Sequence, residues 1–286
     1  MSAAVSAPTD LLYPPLPAWS PRAWKYAASR AFLRTAGSLS EGARIGRTHG
    51  FDSGVMLDYV YADTATGTGP LGRLIDRMQL DAPGWRGIRA RGDLLRAAIA
   101  RAATAAAAEG RAPLLADLAC GGARPVLSAL ADLAAAGTEA RAVLRDYRPE
   151  NLAIARAHAA ALHLDPVIEQ ADAFNDSALA ALPTPGIVVV SGLHEIIADD
   201  ATVRRHFHQI ARLLPPGGRF ILTVQPIHPQ AEFIARVLTS HTGRPWAMRL
   251  RPLALTQGWA EDAGFAVEQI TMEPQGIFGV LEARRA

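Results

Sequence analysis

The 286 residues carry 29 Lys or Arg against 27 Asp or Glu, and half are hydrophobic. A chain of this length and apolar content buries a sizeable core, while its excess of two positive charges, without a dense basic run interleaved with aromatics, argues against a nucleic-acid partner. The single cysteine, Cys120, excludes an internal disulfide framework and a cysteine-rich metal site; with no apolar span of about 20 residues and no signal sequence, the expectation is a cytoplasmic chain without a membrane partner.

Residues 1 to about 20 are rich in Ala, Pro and Ser and read as a strap with little regular structure. From Pro21 to Leu39 aromatic and apolar residues recur at roughly helical spacing behind a Ser20-Pro21 start. Gly42, Gly46, Gly50 and Gly54 punctuate the segment before Met56 to Tyr61, and a Gly/Thr loop from Thr64 to Pro70 leads to a short helix, Leu71 to Leu80. After Pro83-Gly84, Trp85 to Ala108 forms one long alanine-rich helix that ends near Gly110. The chain thus divides into an N-terminal helical extension or lid, residues 1–84, and an α/β domain, residues 85–286.

Beyond Leu114 strands and helices alternate. Strands are predicted at Leu114 to Leu118, Ala142 to Asp146, Pro166 to Gln170, Ile187 to Val190 and Arg219 to Val224, with helices from Pro125, Pro149, Ser177 and Asp199 between them. This order predicts a parallel sheet with right-handed crossovers. Helices Pro229 to Ser240 and Leu253 to Ala263 follow, and Phe265 to Thr271 with Ile277 to Ala283 close the sheet as an antiparallel pair. The whole is a Rossmann-like, seven-stranded, mostly parallel α/β arrangement. Its first turn holds the main functional signal: an apolar run ends in Asp117, a turn of small residues follows, and Pro125 opens a helix. Small residues let the backbone approach a ligand closely, and the acid ending the second strand, Asp146, is placed to accept hydrogen bonds from ribose hydroxyls. At this turn the phosphate-cradling G-x-G-x-x-G pattern is absent.

Asp117-x-Ala119-x-Gly121-x-Ala123 resembles a degenerate form of the acid-x-Gly-x-Gly-x-Gly loop of class I S-adenosylmethionine (SAM) methyltransferases. From Ser38 onward the chain resembles, more narrowly, a poorly characterised bacterial methyltransferase group sometimes fused to an α/β-hydrolase. That likeness rests on Phe51-Asp52-Ser53-Gly54 with Leu57 to Tyr61, on Gly84 to Arg89, on Val190 to Glu195, and on Gln225-Pro226-Ile227-His228-Pro229-Gln230. It continues through Leu238 to His241, Trp246-x-Met248-Arg249 and Gly276-Ile277-Phe278. A hydrolase nucleophile elbow, G-x-S-x-G, does not occur, so no fused hydrolase is expected. The sequence departs from the group at Ala123-Arg124-Pro125, at His194 and at Ile227, all at carboxyl ends of strands, where ligands bind in open α/β sheets.

The resemblance implies SAM across the carboxyl ends of strands one to three. Ala119 and Gly121 would pack against its methionine part, Asp117 would organise the loop or meet the amino group, Asp146 would hold the ribose, and Asp172 the adenine. Tyr147, Ala173 and Ser191 complete the expected cofactor contacts. No metal is expected. His228 and His194, the latter with Glu195, stand where a proton acceptor would act; His49, His158, His163, His206, His208 and His241 are assigned to structure. Tyr59, Tyr61 and Trp24, with Phe32, would form a lid lining the acceptor pocket, and Arg249 is a candidate clamp for an acidic acceptor. The expected function is methyl transfer from SAM to a small molecule in specialised metabolism, by a chain compatible with a homodimer. A methyltransferase-like cyclase that uses the same site for ring closure and a non-catalytic SAM-binding module are the alternatives.

Overall fold

The computed structural model describes residues 13–286 except Ala112. Seven strands form one sheet in the order β3-β2-β1-β4-β5-β7-β6: β1 (Leu114–Asp117), β2 (Arg141–Asp146), β3 (Val167–Gln170), β4 (Ile187–Val190), β5 (Arg219–Val224), β6 (Phe265–Met272) and β7 (Gly279–Arg285). The first five pair in parallel, while β7 runs antiparallel to both β5 and β6.

The central strands β1, β4 and β5 are mainly apolar because both faces of the sheet are covered there, and alternate side chains enter different cores. Leu115, Leu144, Ile187, Val189 and Ile221 join a cluster with the long helix α5 (Pro83–Ala108) and with α6 (Arg124–Ala135) and α7 (Pro149–Ala161). Ala116, Val143, Val188, Val190, Phe220 and Leu222 join the opposite cluster, with α8 (Asp176–Ala180), α9 (Asp200–Leu213) and α11 (Leu253–Asp262).

The N-terminal layer is α1 (Pro21–Arg34), a 3-10 turn (Ala36–Leu39), α2 (Glu41–His49), α3 (Gly54–Ala62) and α4 (Gly69–Leu80). The helix expected to run to Leu39 therefore stops at Arg34, and two unexpected helices take the place of the glycine-punctuated segment. Gly42 and Gly46 lie inside α2 because a Cβ at Gly42 would stand 2.9 Å from Tyr59, and one at Gly46 would stand 2.4 Å from Phe51. These glycines permit close packing; they do not break the helix. The helix expected over Pro229–Ser240 shortens to α10 (Ala231–Val237), because Thr239 bridges to Pro245.

Fully buried Asp76 ties this layer together: its carboxylate accepts from Ser40 Oγ (2.5 Å) and from the backbone N–H groups of Gly42, Thr66 and Gly67. Burial opposes ionisation, yet these donors hold its pKa below the usual value. A third core cluster, with Phe51, Met56, Trp85, Ile88 and Phe278, joins residues on both sides of the boundary expected at 84/85.

Candidate functional site at the carboxyl edge of the sheet

At the carboxyl end of β1 the chain turns through Ala119–Ala123, with Gly121 (φ 54°) and Ala123 (φ 56°) in the left-handed region. A non-glycine residue there is strained by about 1–2 kcal/mol, and Ala123 carries that strain. Asp146 clamps the loop: one carboxylate oxygen accepts from Gly121 N (2.9 Å), the other from Arg148 N (2.8 Å) and Asn151 Nδ2 (3.0 Å). Asp117 is buried beneath it, accepting only a long bond from Ala119 N (3.3 Å), and burial raises its pKa to about 7. Asp172 and Tyr147 are exposed at the ends of β3 and β2; Asp172 accepts from Phe174 N (2.9 Å), and Ala173 is buried behind it. Ser191 is half-buried just beyond β4.

Helix α3 docks onto this loop. Asp58 pairs with Arg124 (2.5 Å) and stands 3.3 Å from His158. A Cβ at Gly54 would meet Asn151 Oδ1 at 2.4 Å, and one at Gly121 would lie 3.6 Å from Gly54 Cα. Asp52 accepts from the backbone N (2.5 Å) and Nδ1 (2.8 Å) of His241. His158 and His241 thus hold the lid, in keeping with their assignment to structure.

Between the lid and the carboxyl ends of β4 and β5 lies a cavity of about 650 Å³. Helices α1, α4 and α10 contribute Phe32, Met78 and Phe233; Trp85, Ile88 and Arg91 come from one face of α5, and Phe278 closes the side at β7. Its polar groups are few: Gln225, His228, Glu195 and Arg91, with Lys25, Ser29, Asp52, Gln79 and Gln230 around them. Glu273, which accepts from the N–H groups of Gln275, Ile277 and Phe278, fixes the turn that positions Phe278.

Glu195 is held from the sheet. Gly192 N donates to Thr223 Oγ1 (2.8 Å), which donates to Glu195 Oε1 (2.6 Å). Arg91, 2% exposed, lies with its guanidinium carbon 5.0 Å from the Phe278 ring centroid and its Nη1 3.8 Å from Glu195 Oε1. Sequence reading missed Arg91, since an arginine-rich composition devalues any single Arg. Its position on the apolar stripe Trp85–Ile88–Arg91–Leu95 was the available signal.

His228 lines the cavity, with burial lowering its pKa to about 4. Its Nδ1 accepts from Gln230 N (3.1 Å), so the neutral ring carries its proton on Nε2. In this tautomer the free edge of the ring donates. His194 is placed elsewhere altogether. It is buried against His206 (2.9 Å between ring nitrogens) and stacked on Phe207, beside a separate void of about 20 Å³. Burial lowers its pKa well below normal, and the cavity does not reach it.

Four of the expected pocket residues, Trp24, Tyr59, Tyr61 and Arg249, also lie outside the cavity lining. Trp24, 66% exposed, donates to Ala18 O and turns away from the cavity; Lys25, Ala28, Ser29 and Phe32 form the inner face of α1 instead. Tyr59 is buried within the lid, where burial and Asp76 raise its phenol pKa, and Tyr61 packs on Gly92. Arg249 pairs with Asp200 (2.6 Å) at the start of α9. Among the described residues no group of His, Cys, Asp and Glu is arranged to hold a metal, and no helix is long and apolar enough to cross a membrane.

A family model described as "Putative methyltransferase" matches residues 2–285. The chain belongs to this family. It is 39% identical over 270 residues to the Escherichia coli "Uncharacterized protein YnbC", across 93% of this chain and 46% of that protein. It thus spans less than half the length of that relative. Among solved structures, a possible exported protein from Bordetella parapertussis is similar at 20% identity with a TM-score of 0.59, covering 93% of this chain and 99% of that one. An O-methyltransferase family protein from Burkholderia thailandensis (16%, TM-score 0.55) covers 92% of this chain and 69% of its own. Magnesium protoporphyrin IX methyltransferase from Synechocystis, solved with bound S-adenosylhomocysteine (SAH; 18%, TM-score 0.55), covers 86% and 100%. The expected class I SAM-methyltransferase fold is borne out.

Proposed function

We propose that this chain of the putative methyltransferase family transfers the methyl group of SAM to an apolar small molecule held in the cavity under the lid, as an enzyme of specialised metabolism. The observation that carries this reading is the cavity itself. Its volume lies within the range of small-molecule sites, roughly 300–1,000 Å³, its walls are mainly aromatic and aliphatic, and it reaches Gly192 at the end of β4, beside the loop where a cofactor would lie.

The residues of the β1–β3 edge fit the cofactor. A carboxylate has about four acceptor positions, and the three bonds at Asp146 leave room for a ribose hydroxyl. Asp117, nearly unbonded and raised by burial to a pKa of about 7, suits an ammonium group that would draw it fully into its ionised form. Ala119 and Gly121 leave the loop without bulk, and Tyr147, Asp172, Ala173 and Ser191 frame the adenine and methionine ends. Bound there, SAM supplies an electrophilic methyl carbon; the chain's own task is to align a nucleophile with it and exclude water, which is worth about 7–11 kcal/mol.

Calorimetric titration of the purified chain with SAH is the test of the cofactor assignment, and absence of binding overturns it. Incubation with isotopically labelled methyl donor and an acceptor panel then separates methyl transfer, which adds label to the acceptor, from ring closure, which does not.

A further inference from the structure

The methyl-transfer reading leaves one arrangement unexplained. Arg91 is buried, its Nε has no hydrogen-bond partner among the described residues, and its nearest anion is too distant for a hydrogen bond. Burying a guanidinium this poorly bonded is costly, and a purely structural pair would close the gap. Instead the Thr223 hydroxyl holds Glu195 Oε1 from one side, and the Phe278 ring supports Arg91 from the other. Both side chains line the apolar cavity beside Gly192, where a Cβ would lie 3.7 Å from Arg91 Nη2.

We infer that Arg91 and Glu195 form a hydroxyl-recognition site: the cavity takes an aromatic molecule whose phenolic oxygen accepts from Arg91 Nη1 and donates to Glu195 Oε1. With Nη1 and Oε1 3.8 Å apart, an oxygen set off the line between them reaches both at ordinary hydrogen-bond lengths, about 2.8 Å. The pair supplies one donor and one acceptor, which is the complement of a hydroxyl. A carboxylate ligand would add a second anion beside Glu195. An amine would either meet Arg91 as a like charge or give up its single lone pair to Nη1. A phenolic oxygen has two lone pairs, so one remains nucleophilic while the other is bound. On ionisation the O–H bond breaks, the proton passes to the Glu195 carboxylate, and the electron pair stays on the oxygen beside the Arg91 guanidinium. The aromatic walls, Trp85, Phe233 and Phe278, suit the ring that carries the oxygen. The catalytic meaning of this site, oxygen as the methyl acceptor, rests on the reading above; the binding site itself does not.

The test is fluorescence titration of the full chain with 2-naphthol, 2-methoxynaphthalene, 2-naphthylamine and 2-naphthoate. The naphthol is expected to bind at least about tenfold more tightly than each of the others, and to ionise at lower pH when bound than when free. Glu195→Gln, close in shape to the native side chain, abolishes the ionisation shift; Arg91→Met removes the preference over the methyl ether. Thermal melting controls for folding, and the glutamine variant decides the matter if the methionine variant does not fold. Equal binding of naphthol and its ether, tighter binding of the naphthoate or the amine, an ionisation shift unchanged in Glu195→Gln, or no binding of any probe each overturn the site. A chain that discriminates the naphthol but does not bind SAH keeps this site and loses the methyltransferase reading. One that binds SAH without discriminating does the reverse.

Discussion

At the ends of β1 and β2 the chain satisfies its own polar groups: Asp146 accepts three bonds from Gly121, Arg148 and Asn151, and the lid is pinned there by Asp58 and Asp52. At the ends of β4 and β5, under the same lid, Arg91 Nε and Glu195 Oε2 have no partners among the described residues, and the histidines are neutral through burial. The first arrangement suits a ligand that is the same on every turnover, because the loop is shaped before binding. The second suits a ligand that comes between Arg91 Nη1 and Glu195 Oε1, which stand 3.8 Å apart without a bond between them. Buried polar groups left unpaired cost about 1–3 kcal/mol each, which is a reason to look for function where they cluster.

The largest expected effect breaks the first region. Asp146→Ala removes an acceptor from three donors at once, and SAH affinity should fall by about two orders of magnitude or more, with stability falling by roughly 1–3 kcal/mol. Asp146→Asn, which preserves shape, should recover part of the stability and little of the affinity. Calorimetry and thermal denaturation read the two losses separately, and SAH binding unchanged in Asp146→Ala removes this residue from the cofactor site.

A somewhat smaller effect should appear behind the second region. His206 is held at a pKa of about 3 and His228 at about 4, both through burial. Because these folded values lie below the ordinary histidine value of about 6.5, the unfolded chain binds more protons between the two. Their stabilisation is therefore complete above about pH 6.5 and is lost as the pH falls towards 4. From His206 alone the loss between pH 7 and 4 is on the order of 3 kcal/mol. Replacing His194 and His206 together by Leu should flatten the pH dependence of the melting temperature over that interval; an unchanged slope would show that the pair does not drive acid unfolding.

The two regions were unequally legible in the sequence. The strands and the acids that end them were readable because apolar runs closed by turn residues carry their own signal: β4, Ile187–Val190, is found as expected, and Asp117 and Asp146 both lie at the carboxyl edge. The helical N-terminal extension was legible too, but its helices α2 and α3 were not, since glycine has the same letter whether it ends a helix or lets one approach a ring, and only the contacts of Gly42 and Gly46 with Tyr59 and Phe51 tell the cases apart. His194 was misread for a related reason. Its place after β4 was correct, but the 3-10 turn His194–Ile196 puts Glu195 on the cavity and His194 in the core.

Gly84 offers a more local perturbation. A Cβ there would lie 2.6 Å from His228 Nε2, so Gly84→Ala should push the ring out of place and weaken binding of a cavity ligand by several-fold, on the order of 1 kcal/mol. SAH affinity should not change. A parallel loss of both affinities would mean that the cavity and the cofactor edge are coupled through α5.

The smallest expected effect separates two aromatic residues on one helix. Trp24 and Phe32 both looked like lid residues, yet α1 turns Phe32 to the cavity and leaves Trp24 in solvent, tethered to Ala18 O. Phe32→Ala should weaken binding of an apolar cavity ligand by a few-fold, since about half of this side chain is exposed and only its covered part contributes at ~25 cal/mol per Å². Trp24→Ala should leave ligand affinity unchanged and shift stability by no more than about 0.5 kcal/mol. Because the two substitutions delete similar apolar bulk from the same helix, a general loosening of the lid would lower ligand affinity in both. An effect confined to Phe32 locates the binding surface on the inner face of α1.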